Sequence, residues 1–180
     1  KIYFKLLENI KFDISHKQNI FYLDEKSKID FNKIIKKFNK PFYLFHLDRK
    51  SNSLNSFQFN SLINLIKKIK IKHNVILTLG IGDLRYKNIL YDNFKIYDYS
   101  EFQNDLDFNN FNIIGLRKLP LNVLAYFIAN AEANISMHSG SVIHISAAFS
   151  KLIIDVLESH KNNEIDRWVP IISKYRRLNL

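Results

Sequence analysis

The chain has 180 residues, of which 47% are hydrophobic, and this length and composition predict one compact domain rather than two full domains. It contains no cysteine, which excludes disulfides, a thiolate nucleophile and a cysteine-ligated zinc, and which fits a reducing compartment such as the cytoplasm. The net charge of +10 fits solvated surface lysines in a chain rich in residues with AT-rich codons, or else contact with phosphates or an anionic membrane face. The lysines are scattered rather than clustered with aromatic residues, which argues against nucleic-acid binding.

Membrane insertion is not indicated by the sequence. No apolar run approaches the ~20 residues that a membrane-spanning helix needs, and residues 1–8 lack the layout of a signal peptide. We therefore expect a cytoplasmic protein, either soluble or in peripheral contact with the inner face of the membrane.

The sequence predicts that residues 1–40 form an interdomain connection and that residues 41–180 form one Rossmann-like domain. The connection contains a predicted helix near 6–10, a strand at 20–23 and a helix at 29–38. From residue 41 onward, short apolar runs alternate with stretches of helical periodicity, which is typical of β-α-β units in a mainly parallel sheet. The predicted strands lie at 42–47, 75–79, 94–97, 111–114, 133–137 and 152–157.

Two of the predicted helices carry apolar stripes that indicate core packing. Pro120 fits the first turn of the second of these helices, and Pro41 fits the edge of the first strand. The polar run 101–112 predicts a solvated connection with a short helix. The stripes consist of Phe59, Leu62, Ile63, Ile66 and Ile69, and of Leu121, Leu124, Ala125, Ile128 and Ala131.

All four glycines fall at or just past the carboxyl end of a predicted strand: Gly80, Gly82, Gly115 and Gly140. Ligands of open parallel sheets bind at this edge, where a glycine lets the backbone approach a phosphate. The glycines also fit ordinary turns, since half of the turns in such a sheet lie on the same edge.

Residues 135–149 predict a strand that breaks at small polar residues and restarts as a buried helix. Ser139, Gly140 and Ser141 would open that helix and present hydroxyls and N–H groups to an anion such as a diphosphate. His144, one turn further, could donate to a phosphate oxygen or a sugar hydroxyl. The alternative is a capped core helix with a buried, hydrogen-bonded histidine. His138 and His144 have no carboxylate at ligand spacing, so we predict no metal site.

The stretches 121–131 and 139–149, followed by the strand at 152–156, resemble the C-terminal domain of glycosyltransferase family 9, the heptosyltransferase-like family. The family hallmark is an Asp-Ser/Thr-Gly-x-x-His element that leads into an alanine-rich helix and then a strand. The resemblance extends to 41–50, 74–83 and 113–118, and therefore covers residues 41–180 in order.

The resemblance implies a GT-B enzyme with two Rossmann-like domains, of which this chain is the C-terminal, donor-binding half. We accordingly expect a three-layer α/β/α domain with a six-stranded, mostly parallel sheet. It also implies inverting, metal-independent transfer without a cofactor, in lipopolysaccharide or surface-glycan synthesis in bacteria. The catalytic base and the site for the glycan acceptor would belong to an N-terminal domain. Residues expected at the donor diphosphate are Arg49, Lys50, Gly82, Asp83, His138, Ser139, Gly140, Ser141 and His144, with Arg117 and Lys118 at the rim.

The chain departs from the family pattern at the acidic position. Alignment on His144 places Ser139 where the family has its aspartate, and alignment on Gly140 places His138 there. The alternative function is therefore a non-catalytic Rossmann-like module that binds a nucleotide or sugar. Residues 166–170 and 175–177 resemble the closing loop and the returning tail, with Trp168 packed on the sheet; an aromatic and basic tail also fits a membrane surface.

Overall fold

The structure is a computed structural model that describes residues 23–36, 41–48, 53–80, 82, 84–102, 113–157 and 174–179. Helices and strands alternate along most of these ranges. The elements are α1 (Glu25–Ile35), β1 (Phe42–Leu47), α2 (Ser56–Ile69), β2 (Asn74–Leu79), α3 (Lys87–Asn93), β3 (Ile96–Asp98), α4 (Tyr99–Phe102), β4 (Ile113–Arg117), α5 (Leu121–Asn130), β5 (Ala133–Ser136), α6 (Gly140–Ala148), β6 (Leu152–Leu157) and β7 (Tyr175–Asn179).

The described strands form one sheet of seven strands in the order β3-β4-β2-β1-β5-β6-β7, and every neighbouring pair is parallel. The α/β fold with a parallel sheet is therefore confirmed, while the expected number of six strands is wrong by one. The additional strand is β7, whose sequence Tyr-Arg-Arg-Leu-Asn lacks the apolar run by which a buried parallel strand is recognised.

Helices cover both faces of the sheet. Leu44 and Ile76 contribute to one core together with α1, α5 and the start of α6. Their neighbours Phe45 and Leu77 point to the opposite face and pack with α2 and α3. Because successive side chains of a strand alternate between faces, these two cores lie on opposite sides of the sheet.

Side-chain caps fix where the first two helices begin. At α2, Asn55 accepts from the Gln58 amide while the Gln58 side chain accepts from the Asn55 amide, which is a complete capping box. At α1, Asp24 accepts a hydrogen bond from the Ser27 amide at 2.8 Å. Phe31 of α1 stacks on Tyr126 of α5, so this helix packs into the core although it lies within the predicted connection.

The predicted boundaries agree best for the long apolar strands. The bounds 42–47 and 152–157 match β1 and β6, whereas β3 begins two residues later than predicted. The first two residues of the predicted strand 111–114 lie outside the described residues. Helix α1 begins four residues before the predicted start at 29, because Asp24 supplies its cap. The predictions for 6–10 and 20–22, and the polar run beyond residue 102, lie outside the described residues.

Candidate functional site

The strand order reverses direction at β1. The chain proceeds from β1 to β2 on one side, and β5 pairs with β1 on the other, with His46 in register with Ser136. The connections that leave the carboxyl ends of β1 and β5 therefore run to different parts of the molecule. Such a reversal opens a crevice at the carboxyl edge, which is where open α/β sheets bind ligands.

The segment that follows β5 at this crevice begins α6, and we call residues 137–141 the α6 turn. Ser139 is the residue before the helix, and it is buried. Its hydroxyl lies 3.2 Å from the Ser141 hydroxyl and does not bond to an amide of the helix, unlike Asp24 and Asn55 in α1 and α2. Gly140 and Ser141 are exposed, and a Cβ atom at Gly140 would meet nothing within 4 Å. Ser139 therefore does not cap the first amides of α6, which lie at the positive end of the helix dipole.

His144 lies on the exposed side of α6, in line with Gly140 and Ser141. The opposite side of the helix is buried through Val142, Ile145 and their neighbours. The alternative of a buried core histidine is therefore wrong for His144. The expectation of a buried helix is correct for one side only, and the exposed side continues the surface of the α6 turn.

His138 is held by a buried carboxylate from the next strand. The backbone N–H of His138 donates to Asp155 Oδ1 at 2.7 Å, and its Nδ1 lies 2.7 Å from Asp155 Oδ2. Asp155 is 0% exposed, while the His138 side chain is 19% exposed. The backbone of His138 is in the left-handed region, with φ of 53°, which aims its amide and its ring at the same carboxylate.

Tyr175 of β7 donates a third hydrogen bond to this carboxylate, at 2.5 Å from Asp155 Oδ2. Burial and the bond to Asp155 raise the pKa of the Tyr175 phenol far above its usual range, so the phenol stays protonated and acts as a donor. These three contacts satisfy the oxygens of a buried carboxyl group, which would be costly to leave without hydrogen bonds.

Asp155 ends a row of polar side chains that crosses the sheet beneath α6. Thr78, His46, Ser136 and Asp155 are in register on neighbouring strands, and each is at least 96% buried. They share the face on which Leu44 and Ile153 pack against the helices. We call these four residues the polar row.

The polar row is only partly hydrogen-bonded within the described residues. His46 Nδ1 lies 2.9 Å from the Thr78 hydroxyl. Burial lowers the pKa of the His46 imidazole, although the negative charge of Asp48 acts in the opposite direction. The Ser136 hydroxyl, 1% exposed, has no hydrogen-bond partner among the described residues. A buried hydroxyl of this kind calls for a water or a ligand atom.

Gly80 and Gly82 follow β2 on the same edge. A Cβ atom at Gly80 would lie 2.7 Å from Asp48 Cβ, so the missing side chain is explained by contact between the ends of β1 and β2. Gly82 is exposed and has φ of 117°, a conformation that other residues rarely adopt. Gly80 thus lets the ends of β1 and β2 approach each other at this edge of the sheet.

Gly115 does not belong to this edge, and its prediction as a residue past a strand is wrong. It lies in the middle of β4, where a Cβ atom would be 2.6 Å from Ile96 Cγ1 and 3.0 Å from the Lys95 carbonyl oxygen. Close packing of β3 on β4 therefore explains this glycine. The prediction failed because it ended β4 at residue 114.

Arg117 and Lys118, predicted at the ligand rim, lie at the end of β4, which is two strands away from β1 on the side opposite to β5. Both donate to Asp98 of β3, and Arg117 also donates to the Tyr91 hydroxyl at 3.0 Å. Hydrogen bonds from Lys118 and Arg117 lower the pKa of the Asp98 carboxyl, and the bond to Asp98 raises the pKa of Arg117. The structure does not bring these two residues to the α6 turn.

Several predicted site residues lie outside the described residues: Arg49, Lys50 and Asp83, together with residues 166–170 and Trp168. In the described ranges, no group of three or more His, Asp or Glu side chains is arranged to hold a metal ion. Across those same ranges, none of the helices has the length and apolar character required to cross a bilayer.

Asp155 and the rest of the polar row were not among the site residues predicted from the sequence. The available signal was a single carboxylate inside the otherwise apolar strand 152–157. A charged residue in a strand that is buried on both faces needs a specific partner. The identity of that partner depends on the pairing of β5 with β6, which local sequence does not specify.

Comparison of the chain with models of protein families, with curated proteins and with solved structures finds no match. The resemblance to family 9 therefore depends on the residues and motifs of the chain itself.

Proposed function

We propose that this chain binds the diphosphate of a nucleotide sugar at the α6 turn and serves as the donor-binding domain of an inverting glycosyltransferase similar to family 9. The observation that carries the proposal is the uncapped first turn of α6 at the point where the strand order reverses. Free amides at a helix start attract anions, and the crevice beside them is where this fold class binds nucleotides.

The chemistry of the α6 turn suits a leaving diphosphate. As the glycosidic bond to the donor breaks, negative charge grows on the diphosphate, and fixed N–H donors stabilise that charge without reorganising. The amides of Gly140 and Ser141 and the exposed His144 share one surface of α6. In this proposal the amides contact phosphate oxygens, and His144 donates to a phosphate oxygen or a sugar hydroxyl.

Acceptor and biological setting follow from the resemblance alone. In this proposal a second domain supplies the catalytic base and binds a glycan such as a lipopolysaccharide core, and no metal takes part. Arg49, Lys50 and Asp83 remain candidates for contacts to the donor.

The second candidate, a binding module without transfer activity, is favoured by one observation. Neither Ser139 nor His138 supplies the carboxylate that the family places at this turn, and Asp155, the nearby carboxylate, is bonded to His138 and Tyr175. Such a module would bind the diphosphate equally well. Only the reaction with an acceptor distinguishes the two functions.

A titration of the labelled chain with UDP, GDP, ADP and CDP tests the proposed site. We expect the amide signals of Gly140, Ser141 and Val142 to shift with at least one of them, while those of the capped first turn of α2, around Gln58, stay unchanged. Unchanged α6 signals at about 1 mM nucleotide, which corresponds to binding weaker than about 4 kcal/mol, would contradict both candidate functions.

A further inference from the structure

The amino edge of the sheet, at which the strands begin, carries a cluster of exposed lysines. Because every neighbouring pair of described strands is parallel, these strands all begin at this edge, opposite to the crevice. Helix α2 ends here, and we call residues 68–73, which lead from its last turn into β2, the α2–β2 turn. The side chains of Lys68, Lys70 and Lys72 in this turn are exposed.

Two further lysines extend this basic surface along the edge. Lys151 precedes β6 and Lys174 precedes β7, at three and four strand positions from β2. Neighbouring strands are about 4.8 Å apart, so the basic surface extends about 19 Å from β2 to β7. The fold thus collects at one edge lysines that are scattered along the sequence.

The positive charge of the α2–β2 turn is not neutralised within the described part of the chain. None of Lys68, Lys70 and Lys72 forms an ion pair with another described residue. Glu132, at the same edge, lies instead 3.8 Å from His73 Nδ1. The turn therefore presents three positive charges to solvent.

At the carboxyl edge, by comparison, acidic residues lie among the basic ones. Lys118, at the end of β4, donates to Asp98 at 2.8 Å. Lys28, in the first turns of α1, donates to Glu25 at 3.3 Å. An anionic surface is consequently attracted to the amino edge more than to the carboxyl edge.

Ile71 lies between these lysines, and its side chain is 76% exposed. It does not continue the apolar stripe of α2, in which Ile66 is buried. Backbone hydrogen bonds close the turn around it, from the Ile71 N–H to the Lys68 carbonyl at 3.4 Å and from the Lys72 N–H to the Ile69 carbonyl at 3.1 Å. An apolar side chain is thus held outward by a hydrogen-bonded turn, in the middle of a basic surface.

The dipole of α2 explains only part of this arrangement. Lysines near the C-terminal end of a helix stabilise its negative pole, which accounts for Lys68 and Lys70. The dipole gives no reason for an exposed isoleucine in the same turn, nor for Lys174, which precedes a strand.

We propose that the amino edge of the sheet docks on an anionic phospholipid surface, with the lysines of the α2–β2 turn at the head groups and Ile71 inserted between them. Lysines are attracted to an anionic leaflet, and an apolar side chain gains free energy by leaving water. The turn contains no arginine, phenylalanine, tyrosine or tryptophan, the residues that proteins favour for contact with nucleic acids, so a membrane fits it better than a nucleic acid. This inference does not depend on the proposed function, whose site lies at the opposite edge.

Vesicle sedimentation with the whole chain tests the proposal. The vesicles contain phosphatidylcholine alone or phosphatidylcholine with about 30% phosphatidylserine, an anionic lipid. We expect the partition coefficient at about 0.1 M salt to be at least about tenfold higher for the anionic vesicles. It should fall by about tenfold at about 0.5 M salt, where the Debye length shortens from about 10 Å to about 4 Å. Equal partition onto both kinds of vesicle, or no binding to either, would overturn the proposal.

A triple variant removes the charge of the α2–β2 turn. Each lysine near an anionic surface contributes about fivefold to binding, so we expect the partition coefficient on anionic vesicles to fall by about tenfold or more. A wild-type partition coefficient would overturn the proposal. The variant carries Lys68→Gln, Lys70→Gln and Lys72→Gln.

The matched control removes the same charge from exposed lysines at the starts of α1 and α3, away from the amino edge. Its partition coefficient should fall by less than about threefold, because only the net charge changes. An equal loss in both triple variants would show that the net charge alone acts, which overturns the proposal. Melting temperatures establish that each variant is folded. The control carries Lys26→Gln, Lys28→Gln and Lys87→Gln.

Ile71→Ser separates insertion into a membrane from attraction to any polyanion. We expect it to lower partition onto anionic vesicles by about fivefold or more, because the serine gains nothing by leaving water. Leu121→Ser is the control, since Leu121 is 53% exposed at the start of α5, on the opposite edge, and this variant should bind like the wild type. Unchanged partition of Ile71→Ser would overturn the proposal.

A DNA duplex of about 20 base pairs gives the rival partner a direct test. We expect the chain to bind this duplex more weakly than the anionic vesicles, and Ile71→Ser to leave duplex binding unchanged. Tighter binding to the duplex than to the vesicles, lost in the triple variant of the α2–β2 turn, would assign the amino edge to nucleic acid and overturn the proposal.

Discussion

Two histidines at the start of the same helix have different environments. His138 is mostly buried and bonded to Asp155, whereas His144 is exposed on the outer side of α6. Their separation of six residues gave no indication of this difference. The strand pairing places a carboxylate behind the first histidine, and the helical turn places the second in solvent.

His144→Ala should weaken nucleoside diphosphate binding about fivefold, the value of one hydrogen bond of about 1 kcal/mol. The melting temperature should change little because the His144 side chain is exposed. Calorimetric titration and thermal melting measure the two effects, with Lys72→Ala, an exposed change beyond α2, as the control. A larger effect on melting than on binding would contradict the assigned role.

Gly115→Ala and Gly140→Ala form a matched pair. At Gly115 the added methyl group would press on Ile96 and the Lys95 carbonyl, so we expect a loss of about 1–3 kcal/mol in the free energy of unfolding. At Gly140 the methyl group meets open space in a helix, so stability should be unchanged or rise by up to about 1 kcal/mol. Urea denaturation measures the free energy of unfolding of each variant. A larger loss for Gly140→Ala than for Gly115→Ala would contradict the described packing.

At the level of elements, α6 differs from α1 and α2 in how it begins. Asp24 and Asn55 bond the first amides of their helices, while Ser139 bonds no amide of α6. The serine was expected at this position from sequence, and serine is a common capping residue. Its hydroxyl instead lies 3.2 Å from the Ser141 hydroxyl, so the cap that a serine often provides is not formed.

The pairing of β3 with β4 is supported by Asp98, whose carboxylate accepts from Lys118 and Arg117. These bonds lower the pKa of the Asp98 carboxyl in the folded protein. The carboxylate therefore stabilises the fold fully above the pKa of an unfolded aspartate, which is about 3.9. This stabilisation is lost as the pH falls through the lowered pKa of the folded state. As the pH falls below about 4, the free energy of unfolding of Asp98→Asn should therefore decrease less than that of the wild type.

Urea midpoints measured across the acid range check this expectation. Asp92→Asn, an exposed change on α3, should follow the wild-type profile. If the urea midpoints of Asp98→Asn and the wild type changed with pH in parallel, the ion pairs of Asp98 would not contribute to the stability of the fold.

At the level of the whole molecule, the reversal of strand order gathers loops that are distant in sequence. The ends of β1 and β5 are about ninety residues apart in the chain and are neighbours in the sheet. The charged residues at the end of β4 are two strand positions from β1 and three from β5. The crevice is thus a property of topology rather than of any one motif.

The chain by itself should bind a nucleoside diphosphate but transfer no sugar, because the resemblance assigns the base and the acceptor site to another domain. Incubation of the chain with radiolabelled nucleotide sugars and a lipopolysaccharide core acceptor, followed by product separation, measures transfer. Turnover above the rate of a heat-inactivated sample would contradict the half-enzyme interpretation.

The amino-acid sequence by itself determined the α/β class, the bounds of the two long apolar strands and the positions of α2, α5 and α6, because hydrophobic periodicity is a local property. It also singled out residues 138–144 as the start of a helix after a strand. It misjudged β4, because a glycine inside a strand resembles a turn, and it missed the polar strand β7.

Tertiary structure alone decided which of these residues meet. The pairing of β5 with β6 brings Asp155 to His138, and the pairing of β1 with β5 places His46 beside Ser136. The position of β4 in the sheet keeps Arg117 and Lys118, which pair with Asp98, two strands away from β1. Strand order depends on the burial of both sheet faces at once, a long-range condition that no local pattern of residues contains.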